Sequence, residues 1–533
     1  MIKKLPIGIQ SISKILKKSE YAYVDKTGFI KRLIDEGSPH FFLSRPRRFG
    51  KSLFINTLEE VFKGNRVLFK GLEIDKSNYD WQEYPILRFD FSQIDSSSNE
   101  ALISNLKSEI KRMGKSFGVM IDESSVQFML KVLIEKISEK NRVVILVDEY
   151  DKPIINNLKA SKIAENNRDS LRDLFGTFKS LDEYVKFTFI TGVSKFSQVS
   201  LFSGPNNLTD ITMDPKYAGM MGYTDEELKE NFQEHVQQVI KERGGSATEE
   251  DIYEEVRIWY NGYRFTEAEI RVYNPYSTLL YFDSGKAKSH WYRTGTPSFL
   301  IDQLKRYPKS IFSIRGAETI ESTLSDISRI TRINLAALMF QTGYLTIVGY
   351  NEKEGSYKLD FPNKEVEKAF LNSLVQDFAE SDPLMVSRSV IGIKTCLNEL
   401  NLKTFVDLMN NHFAKIPYHV YQHAKEGFYQ AVLYTYIESC GLRTSAEIAT
   451  SAGRIDLMTE TSKFIYIFEL KLDKTADIAL TQSEVKRYKE RYCDQEKQIV
   501  LAGLNFSSKE HRISDWKAIL YAPSGEPIKD ITL

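Results

Sequence analysis

Two sets of residues have the types and spacing for chemistry on phosphates. The first is Phe41 to Ser52, FFLSRPRRFGKS, where an apolar run ends in Gly50-Lys51-Ser52 and LFINTLEEVF follows in a helical pattern. Backbone N–H groups of such a turn and of the helix start face phosphate oxygens. Lys51 would reach the β- and γ-phosphates of ATP, and the Ser52 hydroxyl would ligate Mg²⁺. The first glycine of G-x-x-x-x-G-K-[ST] is replaced by Arg45, whose Cβ limits how closely the backbone wraps a phosphate. Arg47 and Arg48 either offset this with charge-assisted contacts or pack against acidic neighbours.

The loop needs an acidic partner, and Asp148-Glu149-Tyr150-Asp151 follows the apolar run Arg142–Val147. Asp148 would hold the Mg²⁺ shell while Glu149 orients or deprotonates the attacking water. Thr191-Gly192-Val193-Ser194-Lys195 ends a further apolar run, which makes Thr191 and Ser194 candidates for sensing the γ-phosphate. A solvated strand end with a turn is the plain reading of Asp148-Glu149. Order and position along the chain favour nucleotide binding; hydrolysis stays open.

The second set is Asp456, in GRIDL, with Glu469 and Lys471, in IFELK. Alternation puts Glu469 and Lys471 on the same side of a strand as Ile465 and Ile467. Burying them there is costly without partners. Antiparallel pairing across the short turn brings Asp456 level with Glu469. Two converging carboxylates repel unless a divalent metal, Mg²⁺ or Mn²⁺, lies between them. Lys471 would orient or help deprotonate a metal-bound water, or neutralise charge developing on phosphate. Glu426 is a candidate outer ligand, and Gln482 would help place the water. The alternative is a half-exposed hairpin with surface ion pairs.

The elements that must position these residues read as an α/β chain. Strand-like runs at His40–Ser44, Tyr84–Ser92, Arg142–Val147 and Val185–Thr191 alternate with helical stretches at Asn99–Met113, Ser125–Glu139 and Asn167–Leu181. That is the pattern of a doubly wound parallel sheet. Ser11–Lys18 and Gly28–Glu36 read as helices around Tyr23–Thr27, a segment that either borders the nucleotide base or is a turn capped by Asp25 or Thr27. From Asp214 to about Pro383 the alternation stops. Thr224–Arg243 reads as a charged helix, Trp259–Phe265 as a hairpin around Asn261-Gly262, and Thr296-Pro297 as a helix start. Asn334–Phe340, closed by Gly343, precedes a hairpin of Tyr344–Tyr350 and Tyr357–Phe361. That is the outline of a winged helix, serving as a DNA-binding element or as a lid over the nucleotide. Ser381-Asp382-Pro383 reads as a helix break. Beyond it, helices at Thr395–Met409 and Lys425–Glu438 lead to strands at Leu442–Ala449, Arg454–Thr459 and Phe464–Leu472, a helix at Ala476–Tyr492 and a strand at Gln498–Gly503. Lys486, Arg487, Lys489 and Arg491, with Tyr488 and Tyr492 between them, are either a phosphate-binding stripe or a solvated helix face. The expected division is 1–213, 214–383 and 384–533.

The bulk numbers agree with an ordinary globular protein. The chain has 533 residues, 42% hydrophobic and 27% charged, with 72 Lys+Arg against 72 Asp+Glu. Zero net charge means that any nucleic-acid contact is a local groove. Cys396, Cys440 and Cys493 fit no zinc spacing, and a sparse, odd set implies a reducing compartment. There is no signal-peptide pattern and no apolar run near the ~20 residues needed to span a bilayer. The expectation is a cytoplasmic protein with no membrane partner, with a homo-oligomer one option for an oligomeric state left open.

On these motifs the C-terminal part resembles a PD-(D/E)XK nuclease domain: Asp456, Glu469 and Lys471 stand as its D…ExK signature, Glu426 as the glutamate of the first helix and Gln482 as the later glutamine. Through SRPRRFGKS, DEYDKP and TGVSKFS the first part resembles the AAA-ATPase-like domain fused to such nucleases in bacterial proteins. That resemblance makes Arg45 a family variant of the loop. It implies a P-loop NTPase-type sheet, a mostly helical middle with a winged-helix outline, and a small restriction-endonuclease-like domain. The implied activity is that of an intracellular, ATP-binding, metal-dependent nuclease acting on nucleic acid, with DNA favoured. The alternative is a nucleotide-dependent signalling or DNA-binding module whose nuclease-like part is a scaffold.

Overall fold

In the computed structural model, residues 2–532 are described except 123–124, 196–207, 292–299, 302–303, 305–310, 313, 326, 328–333, 380–382, 417–420, 422–424 and 494. The expected helix start at Thr296-Pro297 and the Ser381-Asp382 part of the expected break lie outside them. Two compact units form, one of residues 1–295 with 316–366 and the other of 296–315 with 367–533. Among the described residues, no helix is long and apolar enough to cross a membrane.

The first unit opens with α1 (Ile12–Leu16) and α2 (Thr27–Asp35). Its sheet holds β1 (His40–Ser44), β2 (Ile86–Asp90), β3 (Val143–Asp148), β4 (Val185–Gly192) and β5 (Leu208–Asp210), in the order β2-β3-β4-β1-β5. Every pairing is parallel. β3 is buried along its whole length, as an apolar run between two helical layers must be. The crossovers are α3 (Lys51–Phe62), α4 (Asn99–Ser116), α5 (Val126–Ser138) and α6 (Ser161–Lys179). Ser98 and Ser125 cap α4 and α5 with side-chain bonds from Ala101 and Phe128 N–H. Strand β5, only three residues long, has no sequence signal and was not expected.

Beyond the sheet lie α7 (Asp225–Glu242), α8 (Glu249–Tyr260) and α9 (Pro275–Ser284). Thr224 and Glu227 form a capping box at the start of α7, as Thr-x-x-Glu predicts. The hairpin expected around Asn261-Gly262 is not formed. Trp259 and Tyr260 complete α8, and Asn261-Gly262 ends it, with Gly262 at φ +97°. The apolar face of α8, ending in the fully buried Tyr260, outweighs the turn preference of Asn-Gly. The helix–hairpin outline is present as α10 (Leu335–Thr342) followed by β7 (Thr346–Asn351) and β8 (Ser356–Asp360), with β6 (Ala317–Ile320) on the far side of β8.

The second unit contains α11 (Pro383–Asn398), α12 (Leu402–Phe413) and α13 (Glu426–Ser439). The expected helix Thr395–Met409 is broken where Leu400 takes φ +59° and Asn401 caps α12. The strands are β9 (Arg443–Thr450), β10 (Gly453–Glu460), β11 (Phe464–Leu472), β12 (Gln498–Ser507), β13 (Arg512–Tyr521) and β14 (Pro527–Thr532), in sequence order across the sheet. Only β11 and β12 pair in parallel, and α14 (Ala476–Val485) makes their crossover. Strands β13 and β14 extend the sheet beyond the expected four. The basic helix expected through Tyr492 ends at Val485, because Arg487 turns left-handed at φ +54° and residues 488–492 form a short 3₁₀ turn.

Candidate functional sites

At the carboxyl edge of the parallel sheet the loop 45–50 joins β1 to α3. Arg48 and Gly50 both take left-handed backbone, φ +70° and +87°, which turns the chain into the helix start. A cavity of about 510 Å³ opens over it, lined by Arg47, Arg48, Gly50, Lys51 and Ser52 on one side. Glu149, Asp151 and Lys152 add charged groups, and Tyr23, Val24 and Tyr276 form its walls. The volume suits a nucleotide. Of the segment Tyr23–Thr27, Tyr23, Val24 and Lys26 line the cavity, and Asp25 accepts bonds from the Thr27 N–H and hydroxyl, while the cap position of α2 falls on Lys26 without a side-chain cap bond.

Lys51 is buried and its ammonium donates to the loop carbonyls of Arg45 and Pro46, at 2.9 and 2.8 Å. Burial lowers its proton affinity, and Asp148, Glu149 and Asp151 counter that. Asp148 is buried and pushed up by desolvation, with Ser52 hydrogen-bonded to it as the main compensation. Its Oδ1 has no hydrogen-bond partner. An orphaned carboxylate oxygen beside a hydroxyl is a fitting place for Mg²⁺. Glu149 also sits at φ +51° and pairs with Lys152 at 3.1 Å.

Arg45 does not face the cavity. It is fully buried, and its guanidinium donates to Ser44 O and Thr212 O at 3.0 and 2.7 Å and lies 4.4 Å over the Phe265 ring. Arg47 lines the cavity, and its carbonyl accepts the Trp291 indole N–H at 3.0 Å. Arg48 is exposed, stacked 4.6 Å over Tyr276.

Two expected sensors are not brought to the site. The Thr191 hydroxyl donates to Leu43 O at 2.9 Å, tying β4 to β1. The Ser194 hydroxyl and N–H both donate to Asp151 at 2.7 Å, joined by Val193 N–H at 3.0 Å. Both side chains are fully buried and spent on the fold. Asp151, given no role from sequence, organises the end of β4 and lines the cavity; its place in the acidic run was the only signal. Thr191→Val should therefore leave ATP affinity within about twofold while lowering stability by about 1 kcal/mol. Titration with ATP and urea melts check the two halves.

In the second unit Leu457 pairs with Phe468, a register that carries Asp456 level with Glu469. Asp456 Oδ2 accepts the Leu470 N–H at 2.8 Å. Gln430 fixes the Asp456 carbonyl at 2.7 Å. Glu469 is wholly buried; its Oε1 accepts from Lys471 at 3.0 Å and from the Gln482 amide. Lys471 also donates to Leu470 O at 3.0 Å. Burial raises both carboxyl groups above their ordinary range; repulsion by Asp456 comes next for Glu469, and Glu426, at the start of α13, adds to both shifts. Four of the expected residues are thus linked by hydrogen bonds, directly or through Leu470, and Glu426 acts on them through its charge.

Glu469 Oε2 is buried with no hydrogen-bond partner. With the Asp456 carboxylate, level with it across the sheet, it offers oxygen donors of the kind suited to Mg²⁺ or Mn²⁺. Among the described residues no three His, Cys, Asp or Glu side chains are grouped to hold a metal.

The expected phosphate stripe is dispersed. Tyr488 and Tyr492 are buried; Lys489 donates to Gly525 O at 2.9 Å and Arg491 to Ala449 O at 2.9 Å. Arg487 pairs with Glu490 at 3.2 Å.

Residues 6–202 match a family model described as a predicted AAA-ATPase, and residues 424–516 match one described as the PD-(D/E)XK nuclease superfamily. The first match contains the loop and Asp148; the second contains Glu426, Asp456, Glu469, Lys471 and Gln482. A protein of Azotobacter chroococcum mcd 1, named "Uncharacterized protein in vnfD 5'region", is 38% identical over 518 residues, 95% of this chain and 96% of the relative. With both domains matched in order and the relative aligned over nearly its whole length, the chain belongs to the AAA-ATPase-like proteins that carry a C-terminal PD-(D/E)XK nuclease superfamily domain.

Proposed function

We propose that this protein is an ATP-controlled, divalent-metal-dependent nuclease that hydrolyses phosphodiester bonds, with DNA as the favoured substrate. The carrying observation is the buried Glu469–Lys471 pair beside the half-buried Asp456, with its unpartnered Glu469 oxygen. Mg²⁺ or Mn²⁺ bound there supplies Lewis acidity toward the phosphodiester. Asp456 and Glu469 hold the cation, Lys471 orients water and neutralises charge on the phosphate, and Gln482 keeps Glu469 in place. At the other site the N–H groups of residues 50–52 and Lys51 bind the triphosphate, Ser52 and Asp148 hold Mg²⁺, and Glu149 is the group for positioning a hydrolytic water.

Control by nucleotide is supported by what grips the loop from outside. Phe49 packs against Tyr263 and Phe265, with ring centroids 4.8 and 5.5 Å away. Trp291 holds Arg47 O, and the Gln341 amide oxygen accepts the Lys195 N–H at 2.7 Å. Gly343, which ends α10 at φ +89°, lies so close to Pro46 that a Cβ would stand 2.6 Å from it. These contacts all lie within the first unit; in our reading, with 1–213 the nucleotide domain and 384–533 the nuclease domain, the segment 214–383 closes in response to nucleotide and governs cutting. Three free cysteines support a cytoplasmic setting.

The test is a cleavage assay on single- and double-stranded DNA and RNA, in Mg²⁺ and in Mn²⁺, with and without ATP. Metal-dependent cutting is expected, and its absence on every substrate would favour the scaffold reading. Lys51→Ala should weaken ATP binding by about 10–100-fold, the worth of a hydrogen bond to a charged group, and remove any effect of ATP on cutting. If cutting by native protein ignores ATP as completely as cutting by this variant, control by the loop is disproved.

A further inference from the structure

From sequence Tyr488 is a spacer in a basic stripe; in the structure it returns to the nuclease site. Helix α14 ends at Val485, and Arg487 takes left-handed backbone, φ +54°, a conformation uncommon for a residue with a side chain. That turn brings Tyr488 back to the start of β10. Tyr488 is 1% exposed and shares a buried apolar cluster with Ile455, Ile465, Ile467 and Leu480. Gly453 makes room for it, because a Cβ there would lie 3.0 Å from the Tyr488 hydroxyl.

The hydrogen-bond roles at this point follow from counting protons. A phenol has one proton to donate, and the Tyr488 hydroxyl gives it to the Arg454 carbonyl at 2.8 Å. A carbonyl only accepts, so this bond cannot be reversed. The phenol oxygen is left as an acceptor, and the Gln482 side chain hydrogen-bonds to it. Gln482 must therefore offer its amide nitrogen and not its oxygen. The same nitrogen donates to Glu469 Oε1, so its two hydrogens serve Tyr488 and Glu469. Turned over, the amide would set its oxygen against both the phenol oxygen and the carboxylate. With Lys471 also on Oε1, the donors gather on one oxygen of Glu469. The other, Oε2, is left without a hydrogen-bond partner among the described residues.

We propose that Tyr488 is a positioning residue of the nuclease site: its hydroxyl fixes the Gln482 amide so that Glu469 keeps one oxygen for the cation. This rests on the nuclease reading above. Tyr488 touches neither cation nor substrate and takes no part in the bond-breaking step. Partners that orient a metal ligand in this way are worth about 10–100-fold in metal affinity or activity.

The test is a double-mutant cycle in the full chain, with Tyr488→Phe, which keeps the ring and removes the hydroxyl, Gln482→Ala, and the two together. Tyr488→Phe should lower kcat for metal-dependent cleavage by about tenfold while KM stays within about twofold. Gln482→Ala should cost at least as much, and adding Tyr488→Phe to it should change kcat by no more than about twofold. A phenol that only supports the fold would lower kcat by the same factor in both backgrounds. Melting in a Mg²⁺ series without nucleotide gives a readout that needs no cutting, and Tyr488→Phe should require about tenfold more Mg²⁺ for half the gain. Additive losses, or a Tyr488→Phe protein with native kcat and native response to Mg²⁺, would overturn the positioning role alone. Native protein that responds to Mg²⁺ but cuts no nucleic acid would remove the nuclease reading, and the cycle is then decided on the Mg²⁺ response. Native protein that does neither would overturn both.

Discussion

Glu469→Gln is expected to lower metal-dependent cleavage by about 10²–10³-fold, the scale of losing one electrostatic contact to a transition state. The substitution preserves shape, and the Lys471 and Gln482 donors can still reach the remaining side-chain oxygen. What goes is the negative charge that holds a cation beside Asp456. The same charge opposes folding in the absence of metal. Glu469 is wholly buried, and desolvation, with Asp456 next, raises its carboxyl above the ordinary value of 4.5. Protons therefore bind the folded chain more tightly than the unfolded one, and stability falls as pH rises above that value. Divalent metal should reverse the trend, giving a melting-temperature gain that grows with pH through this window. In metal-free buffer at pH 8 the glutamine variant should melt higher than native protein, and Mg²⁺ should raise its melting temperature less. Cleavage at the native rate by Glu469→Gln would remove Glu469 from the site.

Much of this site was legible because its determinants are local. Strand alternation with a short turn between β10 and β11 is enough to set Asp456 level with Glu469, and the position of Gln482 one helix later follows from the crossover. Apolar runs marked the four long strands of the parallel sheet for the same reason. Failures occurred where a residue's role is decided by a partner far away in sequence. Thr191 and Ser194 have the side chains of a phosphate sensor, yet Leu43 and Asp151 claim them. The basic stripe after α14 looked continuous until Arg487 turned left-handed and dispersed its members among Gly525, Ala449 and Glu490. Strand β14 runs ProIleLysAspIleThr and is exposed at most positions; its identity comes from backbone pairing with β13, which no alternation announces.

Arg45 is the plainest case of a distant partner, and it yields the second large effect. From the loop motif alone Arg45→Gly is a repair, giving the backbone the freedom to wrap phosphate. From the structure it is damage: the variant should lose about 3–5 kcal/mol of stability, the range for truncating a large buried side chain or one member of a buried charged network. The guanidinium fills a fully buried space over Phe265 and satisfies Ser44 O and Thr212 O. Nearby Asp210 offsets the cost of burying its charge, and Asp210 is itself paired with Lys195 at 2.7 Å. Removing the arginine leaves two carbonyls short of a donor and opens a cavity behind the loop. It also releases the loop from Thr212 O, so ATP affinity should fall and not rise. Arg45→Lys, which keeps the charge but not the planar fork, should recover part of the stability. Chemical denaturation and ATP titration of the two variants separate the readings. A glycine variant as stable as native protein and binding ATP more tightly would make Arg45 a defect in the loop; the expected loss of both makes it the pin on which the loop is set.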